Sequence, residues 1–129
     1  MAQTQIVPTT GQDSIVAALM TWVSVNCLQV AWGTGTTALS NSDTTLEGEV
    51  KRDARISDTP GSAKETITGW LSSLDGNGNT IAKVAVFDEE SGGDLLGESL
   101  LDVSQRFAKT NSIEAMAEFE YNFGVTDNS

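Results

Sequence analysis

The stretch Ser112-Ile113-Glu114-Ala115-Met116-Ala117-Glu118-Phe119-Glu120-Tyr121-Asn122-Phe123 decides the fold. Its odd positions are all apolar, and its even positions are polar or charged apart from Met116. Successive side chains of a strand point to opposite faces, so this alternation predicts a sheet with one face in a core and the other in water. Twelve residues at about 3.4 Å each would reach ~40 Å, beyond the usual strand. The stretch is therefore expected to bend, or to run past the domain and pair with something else.

Working back towards the N-terminus, Thr80 to Asp88 reads as a buried strand through Ile81, Val84, Val86 and Phe87. It turns at 89–93 into Asp94 to Asp102, and a short irregular piece follows around Phe107. Lys64 to Leu74 is another strand, with a tight connection at Asp75-Gly76-Asn77-Gly78-Asn79, where Gly and Asn tolerate positive φ. Glu49 to Ser57 is a strand broken by the turn signal Asp58-Thr59-Pro60-Gly61. Val25 to Trp32 places Leu28, Val30 and Trp32 on one face and Cys27 opposite, and a polar loop follows at 33–45.

Upstream, Asp13 offers an N-cap, and Ile15, Val16, Leu19, Trp22 and Val23 recur at helical spacing, which predicts one short helix at about 13–24. Residues 1–12 are expected to form an extended arm and 124–129 a C-terminal tail around a single domain at 13–123. The predicted class is mainly β, an antiparallel β-sandwich (jelly-roll-like) or small barrel with one short N-terminal helix.

The chain has 129 residues, the size of one domain, and a net charge of −11 from 18 acids and 7 bases. Phosphate backbones are held by Lys and Arg, so this balance argues against nucleic acid and anionic membrane as partners. The run Lys51-Arg52-Asp53-Ala54-Arg55 breaks the trend. It reads either as the exposed face or edge of a strand or as a salt-bridging site for an acidic partner. The single cysteine, Cys27, rules out an intrachain disulfide and is expected to pack as a small hydrophobe. The first residues carry no basic n-region and no apolar run reaches ~20 residues, so a cytosolic place of assembly is expected.

Candidate chemistry is sparse. Gly33-Thr34-Gly35-Thr36-Thr37-Ala38 after a strand fits a dinucleotide fingerprint, with Asp53 downstream, but Leu39 to Leu46 lacks the apolar spacing of the helix that must bind the pyrophosphate. Asp75 to Asn79 begins like a Ca²⁺ loop, yet Thr80 stands where glycine is needed and Val86 where the chelating Glu belongs. Glu114, Glu118 and Glu120 share a strand face and read as a solvated surface. The chain has no histidine, the commonest general base. No enzyme, metal or cofactor is expected. Trp22 and Trp32 are assigned to the core, and Trp70, among Thr68, Gly69 and Ser72, is the best candidate for a partly exposed contact, although core packing is the default there too.

The order of these parts resembles a group of small virion proteins of tailed bacteriophages. The resemblance rests on Ala31-Trp32-Gly33-Thr34-Gly35-Thr36-Thr37-Ala38, on Asp43-Thr44-Thr45-Leu46-Glu47-Gly48-Glu49-Val50, and on Ile81-Ala82-Lys83-Val84-Ala85-Val86-Phe87-Asp88 with Ser91-Gly92-Gly93-Asp94-Leu95-Leu96. It spans residues 12–123 and departs at Ala85, where similar proteins carry Gly, and at Leu39, where they often carry Pro. It implies a virion structural protein on a β-sandwich, either capsid cement (decoration) or a tail, baseplate or fibre module. The expected partners are the major capsid protein and further copies of the chain, by preference in a homotrimer, with tail proteins as the alternative. The contact residues expected are Ile6, Val7 and Pro8 in the arm, Lys51, Arg52 and Arg55, and Trp70.

Overall fold

The computed structural model describes residues 8–123. Helix α1 (Thr9–Asn26) leads into β1 (Gln29–Gly33), β2 (Glu49–Ala54), β3 (Ser57–Gly61), β4 (Lys64–Leu71), β5 (Thr80–Ile81), β6 (Lys83–Phe87), β7 (Leu95–Leu100), β8 (Phe107–Ala108) and β9 (Ala115–Asn122). One sheet has the order β2-β1-β6-β7, a second β3-β4-β9, and β5 pairs with β8 in a small ribbon; all pairings are antiparallel. The protein is mainly β, a small sandwich-like fold with one helix.

The strand that decided the reading behaves as its alternation requires. Along β9, Ala115, Ala117, Phe119 and Tyr121 are half-buried, and Met116, Glu118, Glu120 and Asn122 are exposed. It pairs with β4 so that Ile67 lies opposite Phe119 and Leu71 opposite Ala115 on the inner face, and Trp70 opposite Met116 on the outer. Val30, Trp32, Val84 and Val86 of the first sheet complete the core with Ile67 and Leu71. Each such side chain contributes roughly 1.5–3 kcal/mol when fully buried. The two layers meet tightly at Gly69, where a Cβ would collide with Val30.

Several boundaries differ from the sequence reading. The last strand has eight residues, ~27 Å at 3.4 Å each, instead of twelve. The helix starts at Thr9 behind Pro8, and Asp13 lies inside it. Proline's fixed φ and missing N–H suit a helix start, where no intrahelical acceptor exists for that N–H anyway. Residues 9–12 of the expected arm are therefore helical, while Ile6, Val7 and the rest of 1–7 lie outside the described residues, as does the tail at 124–129. At the other end, Cys27 N–H donates to Val23 O (2.9 Å), so Val25 and Asn26 belong to the helix and the strand begins at Gln29.

Asp58-Thr59-Pro60-Gly61 is not a turn but the body of β3. Proline is tolerated there because β3 is an edge strand with only β4 as neighbour. The reversal falls instead at Ser62-Ala63, where Ala63 takes φ 54. Thr80 to Asp88 divides at Ala82, whose N–H donates to Gly33 O (2.9 Å) and whose carbonyl accepts from Leu101 N–H (2.8 Å). The Asp75–Asn79 connection, with Gly76 and Gly78 at positive φ, thus carries the chain from one sheet to the ribbon.

Candidate interaction surfaces

Helix α1 is apolar on two sides. Val16, Met20, Val23 and Cys27 follow one helical stripe; Val23 and Cys27 are fully buried and the first two half-buried. A second stripe runs through Ile15, Leu19, Trp22 and Val25, exposed by 56, 43, 51 and 63%. Trp22, expected in the core, is therefore on the surface. The sequence reading placed 15, 16, 19, 22 and 23 on one face; separating the spacing 16-20-23-27 from 15-22-25 would have shown two.

The C-terminal end of α1 is clamped to the sandwich. Arg55 Nη1 donates to Ser24 O (2.8 Å) and Cys27 O (3.0 Å), satisfying carbonyls that a helix end leaves without partners. Arg55 Nη2 also lies 3.7 Å from Asp58 Oδ2, which accepts a hydrogen bond from Ser24 Oγ. Beside Asp58 sits Glu65, 5% exposed and opposite Tyr121 on the inner face. Burial, then the hydrogen bond with Asp58 and its charge, push the Glu65 carboxyl up to about 7. The same hydrogen bond holds Asp58 below its ordinary value, assisted by Ser24 and Arg55. Burial raises the Cys27 thiol, and the Tyr121 hydroxyl donates to Leu96 O (2.9 Å).

The other predicted contacts are scattered. Arg52 is held within the chain: it forks onto Glu49 (2.6 and 3.2 Å), donates to Glu89 O and Gly92 O, and stacks 3.5 Å from the Phe87 ring centre. Lys51 lies 3.5 Å from Asp53 and 3.6 Å from Asp75. The basic run thus has internal partners, two of its members at functionless-looking positions that in fact brace the helix and the β6–β7 turn. Pro8 is exposed at the helix start. Trp70 is 41% exposed, against the core default, and beside it on the outer face Met116 is 66% exposed.

The glycine motif has no helix behind it. Gly33 to Gly48 instead wraps a carboxylate: Thr37 N–H (3.0 Å) and Thr37 Oγ1 (2.7 Å) donate to Glu47, and the buried Lys83 ammonium reaches it at 3.1 Å. Those Thr37 bonds, with Lys83, hold Glu47 down at about 2. In the Ca²⁺-like loop, Asn77 Oδ1 accepts from the buried Lys109 ammonium (2.8 Å). Among the described residues no group of three or more metal-ligating side chains comes together.

An apolar recess of about 280 Å³ opens between the end of β7 and β9 and is lined by Trp32, Val84, Leu101, Phe107, Ala117 and Phe119 among others. The buried Trp32 Nε1–H has no acceptor among the described residues. Compared with protein-family models and with curated proteins, the chain matches none.

Proposed function

We propose that this chain is a structural protein of a tailed-bacteriophage virion, a capsid cement or decoration protein that stabilises the shell by non-covalent contacts. The observation that carries the proposal is the two-sided apolar helix, docked on one side and open on the other. Assembly covers the second apolar stripe. The net charge of −11 favours solubility before assembly. The likeness to small virion proteins over residues 12–123 supplies the kind of particle. The partners are then the major capsid protein and further copies of the chain, by preference as a trimer, with neither nucleic acid nor membrane involved. The site of action is the virion, most directly the capsid surface, after assembly in the host cytoplasm. No cofactor and no covalent step enter: area buried at subunit seams favours the assembled shell by mass action. The test adds purified protein to capsids lacking it and follows shell disruption on heating. Bound protein and a higher disruption temperature support the reading, and failure to bind sinks it.

A second reading, a tail, baseplate or fibre module recognising a host glycan, is favoured by the exposed Trp70 beside Met116. An aromatic face on a flat sheet can stack on a sugar ring. A glycan array distinguishes the two, because a cement protein gives no signal and a Trp70-dependent signal selects the second.

A further inference from the structure

We propose that the outer stripe of α1 packs against the same stripe in another copy of this chain, making the helix the seam of a homo-oligomer. The inference rests on reading that stripe as an assembly surface and names its partner. Gly11, Ile15, Ala18, Trp22 and Val25 recur at spacings of four, three, four and three, the repeat that keeps one seam facing a neighbouring helix. Leu19 widens the seam on one side.

Charge leaves this face open to a second copy. All of α1 carries a single ionisable side chain, Asp13, in a chain with 18 acids and 7 bases. Two identical chains of charge −11 repel wherever their acidic faces meet. The outer face of β9, with Glu118 and Glu120 exposed, is such a face. The α1 stripe is where copies can approach without bringing like charges together. Ile15, Leu19, Trp22 and Val25 are 43–63% exposed along one stripe, an apolar centre of the kind that a standard interface of ~800 Å² per partner buries. The clamp at Arg55 fixes the helix's C-terminal end, so the stripe is presented rigidly.

The test is the solution mass of the full chain by light scattering over a range of concentrations, with two variants in the seam, Trp22→Glu and Ile15→Lys. Neither side chain is buried in the single chain, so far-UV circular dichroism and thermal unfolding verify that each variant folds. The expected result is a mass that is a whole multiple of the chain's, reduced to one chain in both variants and unchanged in Trp70→Ala. Ala18→Cys gives an independent readout: with Cys27 buried, a short bis-maleimide links copies only through the new thiol. A wild-type mass of one chain up to the solubility limit, or an oligomer that survives both variants, overturns the proposal and leaves the stripe to a different protein. An oligomer that does not bind capsids contradicts the virion reading alone; a monomer that binds them contradicts the seam alone.

Discussion

Asp58 and Glu65 lie carboxyl to carboxyl on the inner face of the β3–β4 pair, and Asp58 Oδ1 and Glu65 Oε2 are both buried without an N–H or O–H donor from any other group. One proton held between them satisfies both oxygens. The pair faces Arg55 and Ser24 from the side of the helix, and Tyr121 across the strand, so it sits at the point where α1 joins the sandwich.

A raised Glu65 carboxyl makes stability depend on pH. Glu65 titrates at about 7 in the folded protein against 4.5 ordinarily. Its folded value is the higher one, so its contribution is complete below about 4.5 and is lost as pH rises through 7. Glu98, hydrogen-bonded to Asp43 and also raised to about 7 by burial and that neighbour, acts in the same direction. Between pH 5 and 8 the protein should lose on the order of 1–3 kcal/mol, read as a falling urea midpoint. Glu65→Gln keeps a donor for Asp58 and should reduce the slope, and adding Glu98→Gln should flatten it. An undiminished slope in the double variant excludes these pairs as the cause.

Removing the Arg55 guanidinium should detach the end of α1. Arg55→Ala leaves Ser24 O and Cys27 O without their donor and Asp58 without its cation. The expected cost is about 2–3 kcal/mol, with faster amide exchange in the last turns of the helix. Arg55→Lys should recover only part, since an ammonium lacks the planar fork that reaches both carbonyls. Unchanged exchange in Arg55→Ala would rule out the clamp.

Much of the sheet was legible because alternation has a direct physical cause. Residues 115–122 pair and face as their pattern requires, and the 89–93 turn does connect two neighbouring strands. What sequence concealed was tertiary. Pro60 signals a turn until β3 is known to be an edge strand, and Val25 favours a strand until the bond from Cys27 to Val23 keeps it helical. The carboxyl pair was invisible, because Asp58 and Glu65 meet only when a hairpin folds around Ala63. Lys83 and Lys109 were equally hidden. A lysine inside an apolar run announces nothing about the Glu47 or Asn77 that will receive it.

The loop after β1 should depend on Glu47. With Glu47→Ala, Lys83 is left buried without the oxygen it bonds, and Thr37 loses both of its acceptors. A lower stability is expected, with new proteolytic cleavage inside 34–46. The wild-type contact should persist in acid. Glu47 is held down at about 2, so its contribution is present above 4.5 and is lost as pH falls through 2. Cleavage of wild type and variant at equal rates would contradict this role.

The close approach of the layers at β7 and β9 should not tolerate one added methyl group. A Cβ at Gly97 would lie 2.6 Å from Tyr121 Oη and 2.7 Å from Phe119 Cε1. Gly97→Ala should therefore cost about 1–3 kcal/mol and break the Tyr121–Leu96 bond, visible as a changed tyrosine environment in near-UV circular dichroism. An unchanged spectrum and urea midpoint would show that the strands can part without cost.

The proposed virion role is tested most directly by counting the copies of this chain in purified phage particles released from the cells that produce it. A capsid cement protein predicts hundreds of copies per virion. A handful would place the chain in the tail instead, and none would contradict a virion role altogether.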